Sequence, residues 1–163
     1  MIVLGIDPGL ASTGWAVVER AGSTLRVLDS GTLRTSPRTP HAERLHALFS
    51  GVSEVIGRHD IAGAGVESWF IHPVSKAAMG MAEARGALLV AIANAGVEIV
   101  EYPPTEIKLA VTGSGRADKD QMRAMVGRLT RHDTATDHAA DAVAAAICFH
   151  HREPLRAAIR NAQ

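Results

Sequence analysis

Residues 2–7, Ile-Val-Leu-Gly-Ile-Asp, form an apolar run that ends on an acid and is followed at once by Pro8-Gly9. Such a run reads as a buried strand stopped by a turn. A buried strand needs partners in a sheet and helices packed over it, and the following segments supply both. Residues 14–20 and 24–34 read as two strands joined at Ala21-Gly22, a hairpin. Residues 41–57 carry helical spacing at Leu45, Leu48, Phe49, Val52 and Ile56, with Thr39 as the expected cap and Pro40 in the first turn. Residues 62–66 form a short strand ending at Glu67.

Residues 75–95 are rich in Ala and Met and read as a helix stopped by Gly96. Their small residues permit close approach to the sheet or to a second subunit. Residues 97–101 alternate as a fifth strand, and Pro103-Pro104 breaks the chain. A short helix near 105–111, a Gly-rich loop at 112–117, a helix at 118–130 and a last helix from Thr136 to about His150 complete the reading. The expected class is α/β, a five-stranded mixed sheet flanked by helices. The chain shows no repeat, low-complexity tract or linker, so 1–163 reads as one domain, with 153–163 a flexible tail.

A chain of 163 residues can bury a full core. No apolar run is long enough to span a bilayer. The start, MIVLGIDPG, lacks the basic flank and long apolar stretch of a signal peptide, so a cytoplasmic address and no membrane contact are expected. The lone Cys148 excludes an internal disulfide and reads as a small buried hydrophobe. Net charge is zero, which argues mildly against a nucleic-acid binder. Between Lys108 and His132, however, six basic residues face only two acids, Asp118 and Asp120. A phosphate chain would feel that local excess.

Three segments place an acid where an element meets a loop. Asp7 ends the first strand; such a residue either caps the following turn or presents a carboxylate from a rigid edge. Glu67 ends the fourth strand. Near the start of the last helix stands Asp137-His138-Ala139-Ala140-Asp141. At about 100° per residue, either Asp137 or His138 can share a face with Asp141. Thr136 or Asp137 can equally cap that helix. Asp141 is harder to dismiss, because the run AVAAAICF draws its helix into the core, where a charge needs a strong partner. Clustered carboxylates with an imidazole suit Mg²⁺ or Mn²⁺, and such ions can assist phosphodiester hydrolysis.

Four motifs together resemble the RuvC Holliday junction resolvases. They are Gly5-Ile6-Asp7-Pro8-Gly9, Glu67 after the fourth strand, Thr112-Gly113-Ser114-Gly115-Arg116-Ala117-Asp118-Lys119 before a helix, and Asp137-His138-Ala139-Ala140-Asp141-Ala142. The resemblance covers nearly the whole chain in order. It implies an RNase H-like fold, a homodimer, and an endonuclease that nicks four-way junction DNA symmetrically. It further implies Mg²⁺ or Mn²⁺, two ions per active site, and partnership with a RuvA–RuvB branch-migration complex. The metal carboxylates correspond to Asp7, Glu67 and Asp141, with His138 at the fourth position and Asp137 a possible second-line helper. Many relatives carry Asp where His138 stands, and some carry His. Imidazole is the softer ligand, which shifts the expected balance toward Mn²⁺.

For DNA contact, the resemblance assigns base stacking to Phe70 and phosphate contact to Lys108 and Lys119. Lys76, Arg85 and Arg116 are weaker backbone candidates. Without the resemblance, Trp69-Phe70-Ile71 reads as core and the lysines as solvated. The rivals are an actin-like ATPase, suggested by Ser12-Thr13-Gly14 but lacking the length for two lobes, another RNase H-like nuclease, and a non-catalytic DNA-binding module.

Overall fold

Side-chain alternation along the first strand, β1 (Ile2–Asp7), sorts the chain into two layers. Leu4 and Ile6 join one apolar cluster, while Val3 joins another on the opposite face. By the same period Gly5 and Asp7 share the face of Val3. A computed structural model describes residues 1–68 and 75–162, with the backbone alone for Lys76. The other strands are β2 (Ser12–Ala21), β3 (Thr24–Arg34), β4 (Ile61–Glu67) and β5 (Glu98–Tyr102). Among the described residues these five form one sheet in the order β3-β2-β1-β4-β5. The β1–β2 and β2–β3 pairs are antiparallel, and β1–β4 and β4–β5 are parallel, so the sheet is mixed as expected. Parallel pairing sets the ends of β1 and β4 side by side, with Ile6 opposite Val66. Asp7 and Glu67, each one residue further on, therefore leave the same edge.

Helices α1 (His41–Gly57) and α2 (Lys76–Asn94) cover the first face, with Leu48, Val52, Leu88 and Ile92 in its core. Helices α3 (Pro104–Thr112), α4 (Lys119–Thr130) and α5 (Asp137–Arg160) cover the second. Most helix ends follow the sequence. Gly96, at φ +69, closes α2, and Thr136 caps α5 by accepting from Ala139 N at 3.1 Å. The Thr136 hydroxyl also lies 2.7 Å from that of Thr32, which ties the start of α5 to β3.

Two helix ends differ from expectation. Pro40, rather than Thr39, stands at the N-cap of α1, and no side chain caps it, because His41 is the first helical residue. The last helix also runs ten residues past His150, through Pro154, so residues 153–160 are helical. Proline lacks the N–H that would meet the carbonyl four residues back. Here that carbonyl, of His150, accepts from Arg20 at 2.8 Å, and the helix continues. Arg156 and Arg160 then bind the extension through Glu98 and Glu153.

Helix α5 lies directly on backbone. A methyl group built at Gly5 would overlap the Ala142 carbonyl, one at Gly14 the His138 carbonyl, and one at Gly65 the Ala145 carbonyl. Glycine inside a strand commonly marks such an approach. Three strands thus lack side chains where α5 crosses them, and this brings the first turns of α5 down beside Asp7.

Candidate active site

Asp7 is mostly buried at the end of β1, and its Oδ2 lies 2.7 Å from Nδ1 of His138. Burial pushes its carboxyl above the ordinary range, and the bond and charge of His138 pull it back. Glu67, at the end of β4, is pushed up to about 7, first by burial and then by the negative charges of Asp7 and Asp141. Asp141, one turn along α5 from His138, is raised by burial and by Asp7. Each carboxylate thus lies in the field of its neighbours, although 60 and 74 residues separate them in the chain. Positions 7, 67 and 141 are thus coupled through their charges, and His138 joins them through Asp7.

Helical spacing lets either Asp137 or His138 share a face with Asp141, the resemblance places His138 in the ligand set, and the fold sends the two side chains different ways. His138 turns to Asp7, while Asp137 turns to α4, where it pairs with Lys119 at 2.8 Å and Arg123 at 3.6 Å. Two clefts are lined by members of this group. One, of about 330 Å³, is lined by Glu67, Lys108, Lys119 and Asp141 with the apolar Ile107 and Met122. The other, of about 410 Å³, is lined by Asp7, Leu10, Arg44, Met81 and His138. The positive charge of Lys108 acts on Glu67, and that of Lys119 on Asp7 and Asp141.

Among the described residues no three of these side chains close on a single point as a ready ligand shell. Mutual repulsion is the force that holds such carboxylates apart. Their chemistry nevertheless fits a hard divalent cation, since three partly buried carboxylates in one another's field and an imidazole bonded to one of them are donors of the kind such a cation takes.

The remaining sequence candidates divide. Arg116 is exposed in the loop between α3 and α4 and lines neither cleft. Arg85 is engaged by Glu101. Phe70, with Trp69 and Ile71, lies outside the described residues, as does the side chain of Lys76. The Thr13 hydroxyl of the suspected phosphate hairpin donates to the Gly9 carbonyl at 2.7 Å, inside the turn. Cys148 is buried as expected, and burial pushes its thiol up to about 12. Arg44 was missed by the sequence reading, because it occupies an ordinary polar position of an amphipathic helix.

Residues 3–150 match the family model described as crossover junction endodeoxyribonuclease RuvC. The chain belongs to the RuvC family. The protein of that name from Hyphomonas neptunium is 43% identical over 155 residues, covering 94% of this chain and 93% of the relative. The Thermus thermophilus RuvC structure superposes with a TM-score of 0.86 at 33% identity, covering 96% of this chain and 97% of that one. The T. thermophilus RuvC structure in complex with Holliday junction substrate gives 0.86 at 30% identity, covering 95% and 96%. With these RuvC structures the present chain shares the RNase H-like arrangement, a five-stranded mixed sheet between helices. Among the described residues no helix is long and apolar enough to cross a membrane.

Proposed function

We propose that this chain is the endonuclease that resolves four-way Holliday junctions in recombination and repair, a single RNase H-like nuclease domain acting in the cytoplasm. The reading rests above all on Asp7, Glu67 and Asp141, since the Glu67 carboxyl is held up at about 7 first by burial and then by the charges of Asp7 and Asp141. Isolated structural acids do not need one another's charge. Membership of a family described by this activity supports the same conclusion.

In the proposed site, Asp7, Glu67, His138 and Asp141 would hold Mg²⁺ or Mn²⁺, two ions per site. Bound there, the ions supply charge that offsets the phosphate and makes water a stronger nucleophile. As a neutral ring with Nδ1–H donating to Asp7, His138 would keep Nε2 as its acceptor. Lys108 and Lys119, across the cleft, offset the negative charge that grows as water attacks phosphorus. The P–O3′ bond breaks, leaving a 5′-phosphate and a 3′-hydroxyl. Exposed Met79 and Val90 on α2 support a homodimer, which places two sites for paired nicks. Association with a RuvA–RuvB branch-migration complex follows from the family reading.

The test is to incubate protein and Mn²⁺ with a mobile four-way junction, a plain duplex and an RNA–DNA hybrid. Symmetric nicks confined to the junction are expected. Asp7→Asn should abolish them and spare junction binding. Full activity in that variant, or equal cleavage of the duplex, defeats the proposal.

A further inference from the structure

The larger cleft, on the Asp7 side of the cluster, enters the mechanism above only through Asp7 and His138. Its wall is apolar at Leu10, Ala77 and Met81, and among the described residues Arg44 is its one arginine or lysine. Arg44 Nε donates to the Thr35 hydroxyl at 2.9 Å, and a terminal nitrogen donates to the Leu10 carbonyl at 3.4 Å. Both partners are neutral. Three other partly buried arginines are matched by acids, Arg85 by Glu101, Arg152 by Glu106 and Arg156 by Glu98, while Arg20 spends its donors on the Gly22 and His150 carbonyls away from either cleft. Among the described residues Arg44 forms no ion pair. A guanidinium carries five N–H donors in a planar fork that suits phosphate. Two of them are engaged here, and the rest of the fork remains for the cleft.

Each cleft pairs acids with a cation. Lys108 and Lys119 line one with Glu67 and Asp141, and Arg44 lines the other with Asp7 and His138. A bare acidic cluster repels a polyanion, so cations on both sides are what a strand crossing it requires. We infer that Arg44 binds the phosphate next to the one that is cleaved, with Leu10, Ala77 and Met81 packing the sugar of the nucleotide between them. The inference rests on the junction-cleaving reading and names a substrate contact for it.

The alternative is that Arg44 only clamps the turn after β1. Binding of the full chain to a four-way junction, without divalent ions and over a range of KCl, separates the two. Arg44→Gln should weaken binding and reduce the slope of log affinity against log salt by about one unit, one phosphate contact. Thr35→Val removes a clamp hydroxyl, keeps the guanidinium, and should hold the wild-type slope. An unchanged slope in Arg44→Gln, or the same loss in both variants, overturns the proposal. Neutral methylphosphonates at the phosphates flanking the cleaved one give an answer on wild-type protein, whatever the variants' folding. One flanking position should weaken binding several-fold, and no effect at either overturns the proposal. If wild-type protein shows no preference for the junction, the functional reading itself has failed. If it does and only the Arg44 results disagree, this contact alone is wrong.

Discussion

Nδ1 of His138 lies 2.7 Å from Oδ2 of Asp7, a contact between residues 131 positions apart that joins the end of β1 to the first turn of α5. In the neutral ring, Nδ1–H donating to Asp7 leaves Nε2 as the acceptor, an arrangement common where imidazole serves as a ligand. His138→Ala should lower Mn²⁺ affinity by about 10–100-fold, a range seen when such ligand arrangements are disturbed. His138→Asp should move the ratio of Mg²⁺- to Mn²⁺-supported cleavage toward Mg²⁺. Calorimetric titration and cleavage rates in each metal check both, and an unchanged metal ratio counts against His138 as a ligand.

Glu67 ionises in the folded protein at about 7, against an ordinary 4.5. Folding therefore favours its protonated form. That contribution to stability is fully present below 4.5 and is lost as pH rises through about 7. Asp7 and Asp141 shift in the same direction. In EDTA the melting temperature should fall across this interval, and added Mn²⁺ should remove the fall by favouring the ionised carboxylates. Glu67→Gln should flatten the EDTA profile, and a wild-type profile already flat in EDTA would contradict the assignment.

A side chain at position 5 has nowhere to go, since it meets the backbone of Ala142 and Ala146. Gly5→Ala should destabilise the protein by about 1–3 kcal/mol or more, the usual cost of overpacking a core. It should also cost more activity than stability alone explains, because α5 carries His138 and Asp141. Gly57→Ala, with open space around its new methyl, is the control and should leave cleavage intact. Thermal melts read beside cleavage rates make the comparison.

Lys119 is held by Asp137 in the free protein. Lys119→Ala should slow cleavage on the order of 10²-fold, the loss typical of removing one group that stabilises a transition state. Asp137→Asn removes an acid beside the substrate path and should tighten junction binding several-fold at low salt. Weaker binding in that variant shows instead that Asp137 positions the lysine.

The strands and the order of elements were legible because each apolar run carried its own period and ended on its own Gly, Pro or acid. The site was legible as four separate motifs, with their convergence expected rather than visible. Choosing between Asp137 and His138 required knowing that α4 lies against one side of α5 and β1 against the other. The extension of α5 through Pro154 was hidden, because its cause is Arg20, a residue 130 positions from the carbonyl it satisfies. Arg44 was hidden for a related reason, as nothing local distinguishes an arginine with an acidic partner from one without.

The bare contact between α5 and strands β1, β2 and β4 also limits how such an enzyme can diverge. Where peptide touches peptide, no side chain can be enlarged or trimmed to widen the active centre by a fraction of an ångström. Changes in metal taste must then come from swapping the donors themselves, and position 138 is one where a swap leaves the scaffold untouched.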